Sequence, residues 1–134
     1  MKIMLDIHGV LDSQPQKFVM LACETLCQIG NEVHIVTGET ISKKLIQQLL
    51  SYNNDEKYWT HLVSIQDELI QGNVPTLGIN NFGRPTFPED IWNSFKGRYC
   101  AEHKIDFAID DSPEYEAYFD PKITIFFLNK KAPK

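Results

Sequence analysis

Lys2-Ile3-Met4-Leu5-Asp6-Ile7-His8-Gly9-Val10-Leu11-Asp12 is the stretch that decides the fold. Its first part, Lys2 to Asp6, is a short apolar run that reads as a strand and stops at a carboxylate. Residues 7–14 read as loop. Pro15 then suits the first position of a helix, where its missing N–H has no partner to lose. Phe18, Val19, Ala22, Leu26 and Ile29 follow at helical spacing, and Gly30-Asn31 ends the helix.

The same strand-then-helix unit repeats along the chain. Glu32 to Val36 reads as a second strand, ending at Thr37-Gly38. Residues 40–52 form a helix with Ile41, Leu45, Leu49 and Tyr52 on one side. Thr60 to Ile65 is a third strand, followed by a helical turn at 67–71. Residues 72–88 hold three of the seven glycines and three of the seven prolines, which predicts an irregular loop. Glu89 to about His103 is a helix, and Asp106 to Ile109 is a fourth strand ending at Asp110-Asp111. Ser112 as cap and Pro113 at the first position predict another helix start. Lys122 to Leu128 is the fifth strand, and 129–134 is a basic, frayed tail. Five short apolar strands alternating with helices predict an α/β, three-layer sandwich around a five-stranded parallel sheet.

Composition agrees with one domain over residues 1–134. The chain has 134 residues, is 43% hydrophobic and 23% charged, and carries a net charge of −5. That length buries a core without metal or disulfide staples, and the balance is that of a soluble globular protein. The acidity disfavours nucleic acid as a partner, since such binding usually needs a basic face. No apolar stretch reaches the roughly 18–20 residues of a membrane span. Asp6 comes too early for a secretory leader, so a cytoplasmic location is expected. Cys23, Cys27 and Cys100 read as reduced thiols. Cys23 and Cys27 share a helix face, where small buried apolar side chains are a better reading than a metal pair.

The placement of the polar residues points to chemistry. Asp6, Thr37 and the pair Asp110-Asp111 all sit where strands stop. In an open parallel sheet those carboxyl ends share one edge, and ligands bind in the crevice there. Converging carboxylates repel unless a cation lies between them. Mg²⁺ suits one or two carboxylates, waters and a phosphate oxygen. A carboxylate beside it can attack phosphorus, while Thr37, the backbone around Gly38 and a lysine hold the phosphoryl group.

The ordered set Asp6-Ile7-His8-Gly9-Val10-Leu11-Asp12, Val36-Thr37-Gly38, Lys96 and Ile109-Asp110-Asp111-Ser112 resembles the haloacid dehalogenase (HAD) superfamily over nearly the whole chain. The resemblance implies a Rossmannoid sheet ordered 5-4-1-2-3, Mg²⁺ as cofactor and a phosphomonoester hydrolase. It makes Asp6 the nucleophile and a metal ligand, with the His8 backbone carbonyl as a second ligand. It makes Thr37, Gly38 and Lys96 the phosphate binders. Asp111 becomes a direct metal ligand, and Asp110 acts through a water or by orienting its neighbours. Lys104, at the far end of its helix, is the alternative lysine. No cap domain fits. The segment after Asp12 is too short, and residues 67–88 make a loop or small lid at most. The substrate is then a phosphorylated molecule of open class, and oligomerisation is one way to cover the site.

His8 is the departure, because phosphatases of this family usually carry a second acidic residue there. An imidazole can do acid–base work, but beside Mg²⁺ its pKa is expected to fall. The alternative function is therefore a non-hydrolytic or very slow relative that binds phosphate or a partner. A signalling receiver domain is a third reading, but it carries its acidic pair on the first strand. Residue by residue, plainer readings exist. Asp6 could cap a turn, Asp110-Asp111 a helix, and Lys96 could be a surface lysine. His34 reads as structural, His61 and His103 as surface residues. Asp12 is a loop acid that could gate substrate, and Arg84 a surface residue that could reach it.

Overall fold

The computed structural model describes residues 1–12 and 16–129, with 16–18 as backbone only. Pro15 as helix opener, the side chain of Phe18 and the tail beyond Asn129 lie outside the described residues. In chain order the strands are β1 (Lys2–Leu5), β2 (Glu32–Thr37), β3 (His61–Ser64), β4 (Gly78–Ile79), β5 (Pro85–Thr86), β6 (Phe107–Asp110) and β7 (Ile125–Leu128). Five form one all-parallel sheet in the order β3-β2-β1-β6-β7. That is the order the HAD resemblance implies, with β1 at the centre. Leu5 lies beside Ile35 on one side and Ile109 on the other, so three strands end close together.

Successive side chains of a strand point to opposite faces, and two separate cores result. Leu5, Val33 and Ile35 pack with Met20 and Cys23 of α1 (Gln16–Gln28) and Leu45 and Leu49 of α2 (Lys43–Ser51). Met4, Val36 and Ala108 pack with Ile65 and Leu69 of α3 (Ile65–Gln71) and Tyr99 and Cys100 of α4 (Glu89–His103). Helices thus cover both faces. Leu5, Ile35 and Leu49 are fully buried, each contributing about 1.5–3 kcal/mol over exposure. Cys23 belongs to this core, and burial pushes its thiol up to about 12. Among the described residues no helix is long and apolar enough to cross a membrane.

Local chemistry sets the helix starts. Ser42 Oγ accepts the Leu45 N–H at 3.1 Å and opens α2, three residues later than the spacing predicts. Ser64 Oγ accepts the Asp67 N–H at 3.1 Å, ending β3 and opening α3 at Ile65. Gly97 lets the backbone of Tyr118 pack directly on α4, where any Cβ would collide with the Tyr118 carbonyl.

Three expectations are corrected. Residues 72–88 are not wholly irregular, because β4 and β5 form an antiparallel hairpin. Asn80 Oδ1 accepts the N–H groups of Phe82 (2.9 Å) and Arg84 (3.0 Å) and shapes its turn. Ser112 makes no side-chain cap, and Pro113–Tyr118 is a short 3₁₀ helix. The fifth strand begins at Ile125, because Ile123 and Thr124 N–H groups fold back onto the Asp120 carbonyl.

Candidate active site

Asp6 follows the last residue of β1, and its N–H bonds the Ile109 carbonyl at 3.1 Å, so the ladder continues into the site. The chain then makes one tight turn over Ile7–Leu11, where a loop was expected. Gly9 in that turn has φ +78°, and a Cβ there would collide with the Asp111 carboxylate. Glycine therefore serves twice, for its backbone angle and for the close approach of Asp111. Asp12 Oδ1 accepts the Gly9 N–H at 2.7 Å and holds the turn closed.

Asp6, Asp110 and Asp111 each offer a carboxylate oxygen within 4.8 Å of the others. Lys96 reaches this cluster from α4, and its ammonium is 3.0 Å from Asp6 Oδ1 and 2.5 Å from Asp110 Oδ2. Its side chain is only 3% exposed, so it is no surface lysine. Burial opposes its charge, but Asp6 and Asp110 outweigh that and hold its pKa above the ordinary value. Lys104 is exposed at the other end of α4 and takes no part.

Asp110 is fully buried, and its second oxygen accepts the Ser112 N–H at 3.0 Å. Each of its oxygens thus already accepts from one protein donor. Asp6, by contrast, borders open space. Its pKa is raised to about 6: burial raises it most, Lys96 pulls it down, and the Asp110 charge raises it again. One ammonium shared by two carboxylates leaves a surplus negative charge at this spot. Hard oxygen donors carrying surplus charge fit a hard divalent cation, so the residues present fit Mg²⁺, with Asp6 and Asp111 as the side chains able to hold it.

A cavity of about 390 Å³ opens over Asp6, His8, Thr37 and Gly38. Thr37 is buried at the end of β2, and its Oγ1 accepts the Glu39 N–H at 3.1 Å, which leaves the hydroxyl proton to donate. Lys96, Asp110 and Asp111 lie at the cluster rather than on the cavity wall. The far wall comes from Trp92 of α4 and from Arg84 and Phe87 at the hairpin.

Two carboxylates set the electrostatics of His8. Nδ1 meets Asp12 Oδ2 at 3.1 Å, and Nε2 meets Glu39 Oε2 at 3.1 Å. Burial lowers its pKa, but the Asp12 bond and the Glu39 charge outweigh it, so the net shift is upward. This upward shift belongs to the metal-free protein, whereas the expected fall concerns His8 beside bound Mg²⁺; Asp12 acts on His8 and Gly9 rather than standing alone.

Sequence reasoning missed two residues. Glu39 ties His8 to Arg84, whose Nη2 is 3.5 Å from Glu39 Oε1. Its signal was its place two residues after Thr37. Asn129 was assigned to the tail, yet its N–H bonds the Asp110 carbonyl at 2.8 Å and its side-chain amide donates to the Gly9 carbonyl. It bridges the two carboxylate-bearing strand ends. Comparison with protein-family models, with curated proteins and with solved structures finds no match to this chain.

Proposed function

We propose that the chain is a HAD-like, Mg²⁺-dependent phosphomonoester hydrolase that works through an aspartyl-phosphate on Asp6. The observation that carries this reading is the cluster of Asp6, Asp110 and Asp111 around the Lys96 ammonium, at the sheet edge where an open α/β fold binds ligands. The strand order and the motif order are also those the resemblance implies.

In this reading Asp6 Oδ attacks phosphorus in line with the ester oxygen. The Asp6–phosphorus bond forms as the ester bond breaks. Lys96 offsets the charge on the transferring group, and the Thr37 hydroxyl donates to one of its oxygens. His8, holding its proton between Asp12 and Glu39, delivers it to the leaving oxygen. As neutral imidazole it then takes a proton from the water that attacks phosphorus as the Asp6–phosphorus bond breaks and phosphate leaves. Bound Mg²⁺ supplies charge neutralisation at the phosphoryl oxygens.

The non-hydrolytic alternative has one observation in its favour, which is that both ring nitrogens of His8 are already engaged. A single experiment separates the two. Phosphate release is measured from sugar phosphates, nucleotides, phosphopeptides and an aryl phosphate, with and without Mg²⁺. Release that needs Mg²⁺ and vanishes in Asp6→Asn supports the hydrolase. Folded protein that binds Mg²⁺ but releases no phosphate above the Asp6→Asn background refutes it.

A further inference from the structure

We propose a second metal site, taking Zn²⁺, formed by Glu32, His34 and His61 at the end of the sheet opposite Asp6. This inference stands apart from the phosphoryl-transfer reading. Glu32 and His34 are two residues apart in β2 and so share a face. His61 opens β3 and lies beside His34 in the parallel register. One ligand atom from each residue lies within 4.8 Å of the other two. His34 Nε2 is 2.9 Å and His61 Nδ1 3.9 Å from the same oxygen, Glu32 Oε1.

The orientation of His34 is what raises this group above a chance gathering of polar residues. Its ring is fully buried, and its Nδ1 lies 2.6 Å from the hydroxyl of Tyr99 on α4. In the tautomer with Nδ1–H donating to Tyr99 Oη, the Nε2 lone pair would point between Glu32 and His61, ready for an ion. Histidine ligands of metals are commonly fixed in this way by an oxygen on the other nitrogen. Full burial also favours the neutral imidazole, which is the form that coordinates. The His61 ring stacks on His34 at 4.0 Å and is half-exposed, so it can turn its Nδ1 from Thr60 Oγ1 onto an ion.

Two imidazoles and one carboxylate match the ligand set of open Zn²⁺ sites, with water completing four-coordination. The all-carboxylate cluster at Asp6 has the opposite preference. In the metal-free protein the ring's one proton sits on Nε2, which donates to Glu32 Oε1, and Nδ1 accepts from the Tyr99 hydroxyl. With Zn²⁺ on Nε2 the ring would carry its proton on Nδ1 instead, with no net proton released from His34. Lys2 Nζ is 3.6 Å from the other Glu32 oxygen, so Oε1 is the one offered. The ion would pin edge strand β3 to β2.

The test is a Co²⁺ titration of the full chain followed by visible absorption, with Zn²⁺ competing. It is run on the natural chain, Asp6→Asn, His61→Ala, Glu32→Gln and Tyr99→Phe, each checked for folding by circular dichroism. The proposal expects one equivalent of Co²⁺ with a d–d band, displaced by Zn²⁺ and retained in Asp6→Asn. It expects Zn²⁺ affinity to fall at least about tenfold in His61→Ala and in Glu32→Gln, and by about 10–100-fold in Tyr99→Phe. Exposure of His61 and Glu32 keeps at least one ligand variant foldable. Zn²⁺ binding that is unchanged in folded His61→Ala or Glu32→Gln overturns it. So does a thiolate-to-cobalt charge-transfer band, or no saturable binding to the natural chain.

Discussion

Replacing Asp6 by Asn should abolish turnover and at the same time stabilise the metal-free protein at pH 8. Lys96 is shared by Asp6 and Asp110. Asn at position 6 leaves one neutral Lys96–Asp110 pair and removes the surplus charge. The magnitude follows from linkage. The Asp6 pKa rises from 3.8 to about 6 on folding, and each pH unit is worth about 1.4 kcal/mol. A raised carboxyl pKa adds stability below 3.8 that is lost as pH rises through about 6. Ionised Asp6 therefore forfeits about 3 kcal/mol by pH 8, and Asn does not. At pH 5 the same linkage leaves a gap about half as large.

Urea unfolding in EDTA reads this directly. The Asn variant should have the higher midpoint at pH 8, by about 1–2 M, and the gap should halve at pH 5. Mg²⁺ at about 100 times its Kd should return about 2.7 kcal/mol to the natural chain and little to the variant. A variant less stable than the natural chain at pH 8, or a gap that does not change with pH, refutes the surplus-charge argument.

Lys96→Met should act in the opposite direction, because it leaves the buried Asp110 and the partly buried Asp6 carboxylates without a cation. A loss of about 3–5 kcal/mol at pH 8 is expected from urea unfolding, and a loss under 1 kcal/mol would mean the pair is dispensable. Gly9→Ala should strain the φ +78° turn and displace Asp111. Mg²⁺ affinity by calorimetry should fall at least about tenfold, and unchanged affinity would remove Asp111 from the site. His8 should set the alkaline limb of kcat/KM, since its raised pKa keeps the acid form to higher pH. Glu39→Gln takes away one of its two carboxylates and should move that limb to lower pH. A limb that stays in place would assign it to another group.

The sheet was legible because each strand is apolar and each stop is polar. KIML before Asp6 and FAI before Asp110 read the same way in sequence and in space. The two-residue strands of the hairpin carry too little alternation to register, and their signal is the turn chemistry of Asn80 and Gly83. The converging carboxylates were legible for a topological reason, since parallel strands bring their ends to one edge whatever the helices between them do. Lys96 was legible only as a spacing, and its burial depends on how α4 lies against β6.

His8 marks where reading the sequence stops being sufficient. The residue type sets an imidazole near neutrality, but the sign of its shift is set by neighbours four and thirty-one residues away. Asp12 arrives because the turn over Ile7–Leu11 closes on Gly9, and Glu39 because β2 ends beside β1. A histidine with a carboxylate on each nitrogen holds its proton, whereas the same histidine facing only a cation would lose it. Whether position 8 delivers a proton is thus decided by two acids, one inside the first motif and one thirty-one residues away, whose contact with the ring no spacing shows. For the same reason Glu39→Gln is a sharper probe of the chemistry than His8→Ala: it leaves the ring in place and changes only how tightly the proton is held.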